Sequence, residues 1–540
     1  MRLKQIFLLT TISVALFASC KDDDPKPTPD PGVKTRADLT RDSIFLYAKQ
    51  VYLWSDALPT PEVFNAKKYT TKSTDFLNYE EELIAISQYK INPATNSPFE
   101  YYLNGSVVDA KYSYISDLAN QNPTAYIQNK QSSVDLEGNG NDFGIKLGAY
   151  DQTQPGSTVD EFALFATAIY QNSPADKAGM TRSNRIYKIN DRTIGGSYKA
   201  DRTFINSAFA STATTVKIEG VKYENGTAGT PYTLTLNKAV YQSSPVYAAK
   251  VFTAGTKKIG YLAYARFSRL SNSRPALDAA FTKFAADNVT ELIIDLRYNG
   301  GGYLGTAEYL INQIAPSSLT GKVMYSEHYN ALMQSGGATI LKNQPLLDEN
   351  GKIQYKGDGT RFTYADVDYS IEENTEKFQK TGGLNNVTKV VFIVSGNTAS
   401  ASELVISTLK PHIPVEMIGT QTYGKPVGFF PMRLENKYDV FYSLFHIKNS
   451  SGDGDYFGGF KPTVVDDFDD PRNDFGDPTE HYTMIALNRF GVSTPVTTAI
   501  AKTMSINGRN VPVANLQPMK AIVDGNEFIG MIETNHKIKK

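Results

Sequence analysis

Val390-Val391-Phe392-Ile393-Val394, followed after a short turn by Asn397-Thr398-Ala399-Ser400-Ala401-Ser402-Glu403, is the stretch whose reading decides the fold. The apolar run predicts a buried strand. The small residues after it predict a tight turn, and 401–410 has the pattern of a helix. Ser400 then stands at a strand-to-helix turn with the helix N-terminus behind it. There, backbone N–H groups and the helix dipole favour a serine nucleophile. A second run, 415–418, leads to Thr422-Tyr423-Gly424-Lys425-Pro426, which places Lys425 on a glycine turn 25 positions after Ser400. Serine with a lysine base is one variant of the triad logic.

Working outward, strands and helices alternate across 244–500, which predicts an α/β core. Within it 258–264 reads as a strand, 276–287 as a helix, and 291–297 as a strand entering Asn299-Gly300-Gly301-Gly302. The polar stretch 316–386 shows little periodicity and reads as an insertion or a flexible cover. Residues 501–540 form a C-terminal tail segment. At the other end, 36–137 reads as helical. Asp38 and Thr40 can start a helix on which Ile44, Tyr47, Val51 and Trp54 recur at helical spacing, and 79–89 predicts another. No chemistry is legible there.

Between them, 138–243 has short strands around Ser173-Pro174-Ala175-Asp176-Lys177-Ala178-Gly179-Met180 and Ile186-Tyr187-Lys188-Ile189-Asn190. This segment resembles a PDZ domain of the type found in bacterial proteases. The resemblance implies a carboxylate-binding loop at Asp142-Phe143-Gly144-Ile145. Backbone N–H groups at Phe143, Gly144 and Ile145 would hold a peptide C-terminus as the peptide adds a strand.

Asp295-Leu296-Arg297-Tyr298-Asn299-Gly300-Gly301-Gly302, then Ala399-Ser400-Ala401-Ser402-Glu403, then Thr422-Tyr423-Gly424-Lys425, behind a PDZ-like segment, resembles the C-terminal processing peptidases of serine peptidase family S41. The resemblance covers about 138–490. It implies a multidomain α/β protein (α+β as a whole): an N-terminal helical region, a PDZ-like β domain and a core of the ClpP/crotonase type. It also implies a serine endopeptidase with Ser400 as nucleophile, Lys425 as general base, and Gly302 and Ala401 as backbone oxyanion donors. Polypeptides engaged through their C-termini would be the substrates, without metal or cofactor. A base must be neutral, so Lys425 needs burial or a positive neighbour to lower its pKa. One position departs from the pattern: the family often carries a glutamine four residues after the lysine, and here Phe429 stands there.

Each candidate has an ordinary reading as well. A serine before a helix is often only a cap, a role Ser402 would fill equally, and Glu403 favours the helix start. Lysines on turns are mostly exposed, although Tyr423, Val427, Phe429 and Phe430 give this one apolar company. Five scattered histidines have no triad context. Gly300 to Gly305 formally fits the dinucleotide fingerprint G-x-G-x-x-G, but that reading leaves Ser400 and Lys425 without a role. Gly452-Asp453-Gly454-Asp455 lacks EF-hand spacing. The alternative function is a non-catalytic peptide- or ligand-binding relative of the same fold.

Met1-Arg2-Leu3-Lys4, an apolar run to Phe17 and Ala18-Ser19 make 1–19 a signal peptide. Small residues before Cys20 resemble a bacterial lipoprotein cleavage site, which implies lipidation of Cys20 and a membrane anchor. Residues 20–35 then form a Pro-rich linker behind the acidic Lys21-Asp22-Asp23-Asp24, a pattern similar to surface-export signals of some Gram-negative lipoproteins. The expected location is extracytoplasmic, on the outer membrane, facing the periplasm or the cell surface. With one cysteine in 540 residues, intrachain disulfides are excluded. A net charge of −1 without basic clusters argues against a nucleic-acid partner.

Overall fold

The computed structural model describes residues 34–120, 134–152, 158–224, 226–348, 351–492 and 529–539, together with the backbone of 503–506 and 509–512. The signal peptide, Cys20 and all but the end of the Pro-rich linker lie outside these residues.

The centre is a six-stranded sheet in the order Val246–Ala254, Lys257–Tyr264, Glu291–Asp295, Lys389–Val394, Val415–Gly419, Val464–Val465. Its first pair is antiparallel and the rest are parallel. Both faces are covered, which is why the strands read as unbroken apolar runs. Leu292, Ile294, Val390 and Phe392 face one core with Leu277, Phe281, Leu310 and Leu404 from the helices Leu270–Ala286, Leu304–Ile314 and Ala401–Leu409. Ile293, Val391 and Ile393 face the other, against Tyr482, Ala486 and Leu487 of the helix His481–Asn488.

Residues 139–242 build a second unit with its own core of Phe143, Ile145, Leu164, Ile186, Ile205 and Ile218. Its sheet runs Thr227–Asn237, Thr215–Glu224, Asn184–Ile189, Phe162–Ile169, Ile145–Asp151. The alternating stretch 142–147 is not one strand. Phe143 and Gly144 separate Asn139–Asp142, which pairs with Ala239–Gln242, from Ile145–Asp151 at the sheet edge.

Two expectations need revision. The N-terminal region carries the helices Arg36–Val51 and Asp75–Ser87, but also five short strands between Ile91 and Asp117. The first helix starts at Thr35, not at Asp38 or Thr40. Thr35 Oγ1 accepts from Asp38 N at 3.1 Å and Asp38 Oδ2 accepts from Thr35 N at 2.9 Å, a reciprocal cap. Nor is this region separate, because Tyr114–Asp117 pairs with Tyr438–Phe441 and its core is continuous with that of the central sheet. The second revision concerns 316–386, which is not a loose cover. Met324, Tyr325, Leu341, Leu346, Tyr364 and Phe378 are buried in the main core, and Val323–Tyr329 pairs with Phe445–Asn449. Short 3-10 turns and isolated bridges dominate there, and such elements leave no sequence period.

No helix among the described residues is long and apolar enough to cross a membrane.

Candidate active site

Ser400 caps the helix Ala401–Leu409 with φ 59° and ψ −111°. A non-glycine residue with positive φ is strained, on the order of 1–3 kcal/mol, and persists only where its surroundings over-determine it. Ala399 N and Ser402 Oγ both donate to the Asn299 carbonyl, at 3.2 and 3.0 Å. Leu404 N donates to Ser400 O at 2.8 Å. Ser400 N donates to Glu403 Oε2, also at 2.8 Å. The side chain itself is fully buried, and its hydroxyl has no hydrogen-bond partner among the described residues.

The glycine loop lies against this turn. Asn299 Oδ1 accepts from Gly301 N at 2.9 Å, so that N–H is already used. Gly301 has φ 107° and Gly302 φ 139°, where side chains are disfavoured. A Cβ on Gly302 would lie 2.0 Å from the Phe267 carbonyl oxygen. A Cβ on Gly301 would lie 2.4 Å from the Gly530 carbonyl oxygen and 3.1 Å from Ala401 N. The absent side chains let the loop and the start of the helix converge. Asn299 takes the Gly301 N–H, and the Gly302 N–H faces the Gly530 carbonyl in the parallel ladder with Gly530–Ile532.

The loop is anchored by a buried charge network at the end of Glu291–Asp295. Arg297 donates to Asp295 at 2.6 Å and to Glu480 and Asp469 at 2.7 Å each. Asp469 also accepts from Tyr298 and, from the second unit 139–242, from Arg182.

Lys425 is buried. Its Nζ donates to the carbonyls of Tyr112 at 3.4 Å and Ile529 at 3.2 Å, and lies 4.3 Å from the centre of the Phe429 ring. Burial lowers its pKa to about 7; Glu100 and Glu403 pull it upward, and Lys111 adds to the lowering. The glutamine's usual place is therefore taken by an aromatic face under the amine. Tyr112, in the region where the sequence shows no chemistry, also donates its hydroxyl to Gly424 O at 2.6 Å.

Glu403 ties the two halves together. Its Oε2 accepts from Ser400 N and Lys425 N, both at 2.8 Å; its Oε1 accepts from Thr422 Oγ1 at 2.6 Å and Gly424 N at 2.7 Å. Burial raises its carboxyl pKa, and the four donors hold it back. Favouring the helix start is thus only part of what Glu403 does.

This arrangement contains an unpartnered serine hydroxyl at a helix N-terminus, a buried lysine of lowered pKa, and a glycine loop packed against the start of that helix. Residues 258–465 match the model of peptidase family S41. The chain carries an S41 peptidase domain. A carboxy-terminal-processing protease of Bartonella bacilliformis is 27% identical over 280 residues, 50% of this chain and 50% of that protein. A CtpA-like serine protease of Staphylococcus aureus is 23% identical over 350 residues, 63% of this chain and 56% of that protein. The chain spans about half the length of the curated relatives it matches. The fold resembles a crystal structure from Bacteroides fragilis assigned to the S41 proteases, with a TM-score of 0.55 and 21% identity over 87% of this chain and 99% of that one.

Ser400, Lys425, Gly302 and Ala401 all fall inside the S41 domain; Tyr112, Ile529 and Gly530 reach it from outside. The expected carboxylate-binding loop 142–145 belongs to the second unit. Gly144 has φ 79°, and its N–H donates to Asp142 Oδ1 at 2.7 Å, an oxygen that also accepts from Tyr241. Phe143 is buried in that unit's core, and Ile145 opens its edge strand. The histidines lie on other contacts: His328 with Ser326, His412 with Ser450, His446 with Gly454 O, His481 with Asp466, and His536 against the rings of Tyr364 and Phe430. Among the described residues no group of His, Cys, Asp and Glu is arranged to hold a metal.

Proposed function

We propose that the chain is a serine endopeptidase acting through a Ser400–Lys425 dyad. The observation that carries this is the unpartnered Ser400 hydroxyl on a strained turn, with its backbone N–H on the same Glu403 oxygen as that of a buried lysine. Lys425, with about half its amine neutral at pH 7, would turn from its carbonyl partners and take the Ser400 proton as Oγ attacks the scissile carbonyl. The oxyanion would be held by the N–H groups of Gly302 and Ala401. The proton on Nζ passes to the leaving amine. Water, deprotonated in turn by Lys425, then attacks the acyl ester. As its C–Oγ bond breaks, the Nζ proton returns to Ser400 and the acyl group leaves as a carboxylic acid that ionises.

Polypeptide tails are the proposed substrates. The edge strand Ile145–Asp151 supports engagement by strand addition in the PDZ-like unit. Because Asp142 already occupies Gly144 N–H, a terminal carboxylate would have to displace it. The proposed setting is extracytoplasmic, with a lipid anchor at Cys20; this rests on the sequence of residues 1–20 alone.

The test is cleavage of an unfolded protein by the purified chain, beside Ser400→Ala and Lys425→Ala, with a serine-reactive phosphonate and mass mapping of the adduct. Cleavage and labelling confined to the intact chain support the dyad. Cleavage by Ser400→Ala removes the nucleophile.

A further inference from the structure

The last described segment, 529–539, runs through the site. Gly530–Ile532 pairs in parallel with Gly301–Tyr303, the strand that carries the oxyanion glycines. Gly530 N donates to Gly300 O at 3.0 Å. In this register the Gly530 carbonyl is the ladder acceptor for the Gly302 N–H. The residue before it gives its carbonyl to Lys425 Nζ. On the opposite side Phe429 N donates to Met531 O at 3.1 Å, and Glu533 N donates to Phe429 O at 3.0 Å.

We propose that the groove between Gly301–Tyr303 and Phe429 is the seat of an extended substrate strand, and that the chain's own 529–533 strand fills it as an intramolecular inhibitor. This rests on the reading of Ser400 and Lys425 as the dyad. Three observations support it. The occupant is held on both sides by main-chain bonds, which any peptide of any sequence can make. Its Gly530 carbonyl takes the one N–H of the glycine loop assigned to the oxyanion. Its Ile529 carbonyl takes a hydrogen bond from the Lys425 amine, while the Ser400 hydroxyl stays unpaired. A strand seated this way is not cut, because the base is engaged on the strand rather than on the nucleophile. Beyond the groove the segment is fastened by the Lys537–Glu376 ion pair at 2.8 Å, by Asp368 N on Lys537 O at 2.7 Å, and by His536 packed against Tyr364 and Phe430.

The test uses a chain ending at residue 528 and a fluorescent synthetic peptide of residues 529–540. The truncated chain is expected to bind the peptide at least tenfold more tightly than the full chain does. It is also expected to cleave an unfolded protein at least tenfold faster than the full chain, and to be slowed again by the peptide. Met531→Asp in the full chain places a charge at a fully buried position and should reproduce the faster cleavage without truncation. Equal peptide affinity for both chains overturns the proposal, as does lost cleavage in both variants with circular dichroism unchanged. Loss of Met531–Lys540 from the purified chain, but not from Ser400→Ala, would make the segment a substrate and overturn it too. If neither chain cleaves while the affinity difference holds, the groove stands and the dyad falls.

Discussion

Ser400 and Lys425 donate their backbone N–H groups to one oxygen, Glu403 Oε2, each at 2.8 Å. The Ser400 turn and the Lys425 turn are therefore positioned by a third side chain rather than by each other. In Glu403→Gln an amide NH2 would face two of the four donors. The expected loss is on the order of 3 kcal/mol of stability and about a hundredfold in kcat/KM, since small displacements of reacting groups are that costly. Thermal melting and steady-state cleavage check this, and Glu403→Ala should be worse on both.

The pH profile follows from Lys425. Burial brings its pKa to about 7, and only the neutral amine accepts a proton. kcat/KM should rise as pH increases through about 7 and level off above it. A profile flat from about pH 5 to 9 would remove Lys425 as the base.

How much of this was legible beforehand follows from the range of each contact. The central strands are covered on both faces, so each reads as a continuous apolar run, and the glycine loop and Ser400 turn carry local chemistry. Tyr112 and Ile529 reach Lys425 across 313 and 104 positions. Nothing near Tyr112 or Ile529 in sequence marks that contact. Glu403 is visible as a helix-start acid, but its bonds to Thr422 and Gly424 depend on how two turns meet in space. The 316–386 stretch carries no sequence signal of its packing because its buried residues sit on turns and bridges without a period.

Phe429 offers a separate test of the lysine environment. Its ring face under the amine favours the ammonium form, an effect worth about 0.5–2 kcal/mol. Phe429→Leu should therefore lower the Lys425 pKa further, moving the acid limb of the profile down by about 0.4–1.5 units. Movement upward would show that the ring acts mainly by excluding water.

The C-terminal strand should loosen as pH rises. Glu533 packs near Glu308 and Glu327, with Glu376, Lys537, Tyr325 and Tyr329 around them. Burial and mutual repulsion raise these carboxyls, Glu308 to about 8 and Glu327 well above the usual range; Lys537 opposes the rise at Glu533. Raised acids bind protons more tightly when docked. Their contribution is complete below the ordinary glutamate pKa of about 4.3 and is lost as pH climbs through about 8. Amide exchange at 529–533, corrected for intrinsic rate, should show protection falling from about pH 4 to about pH 8. Constant protection would refute the linkage.

The backbone at Ser400 has a thermodynamic consequence of its own. Glycine would relax the positive φ there, so Ser400→Gly should give a chain that melts higher while cleaving nothing. A lineage that ceased to need the hydroxyl would find such a replacement favoured by folding alone. On the proposed reading, the serine is kept at that position against its own conformational preference because the hydroxyl is still in use.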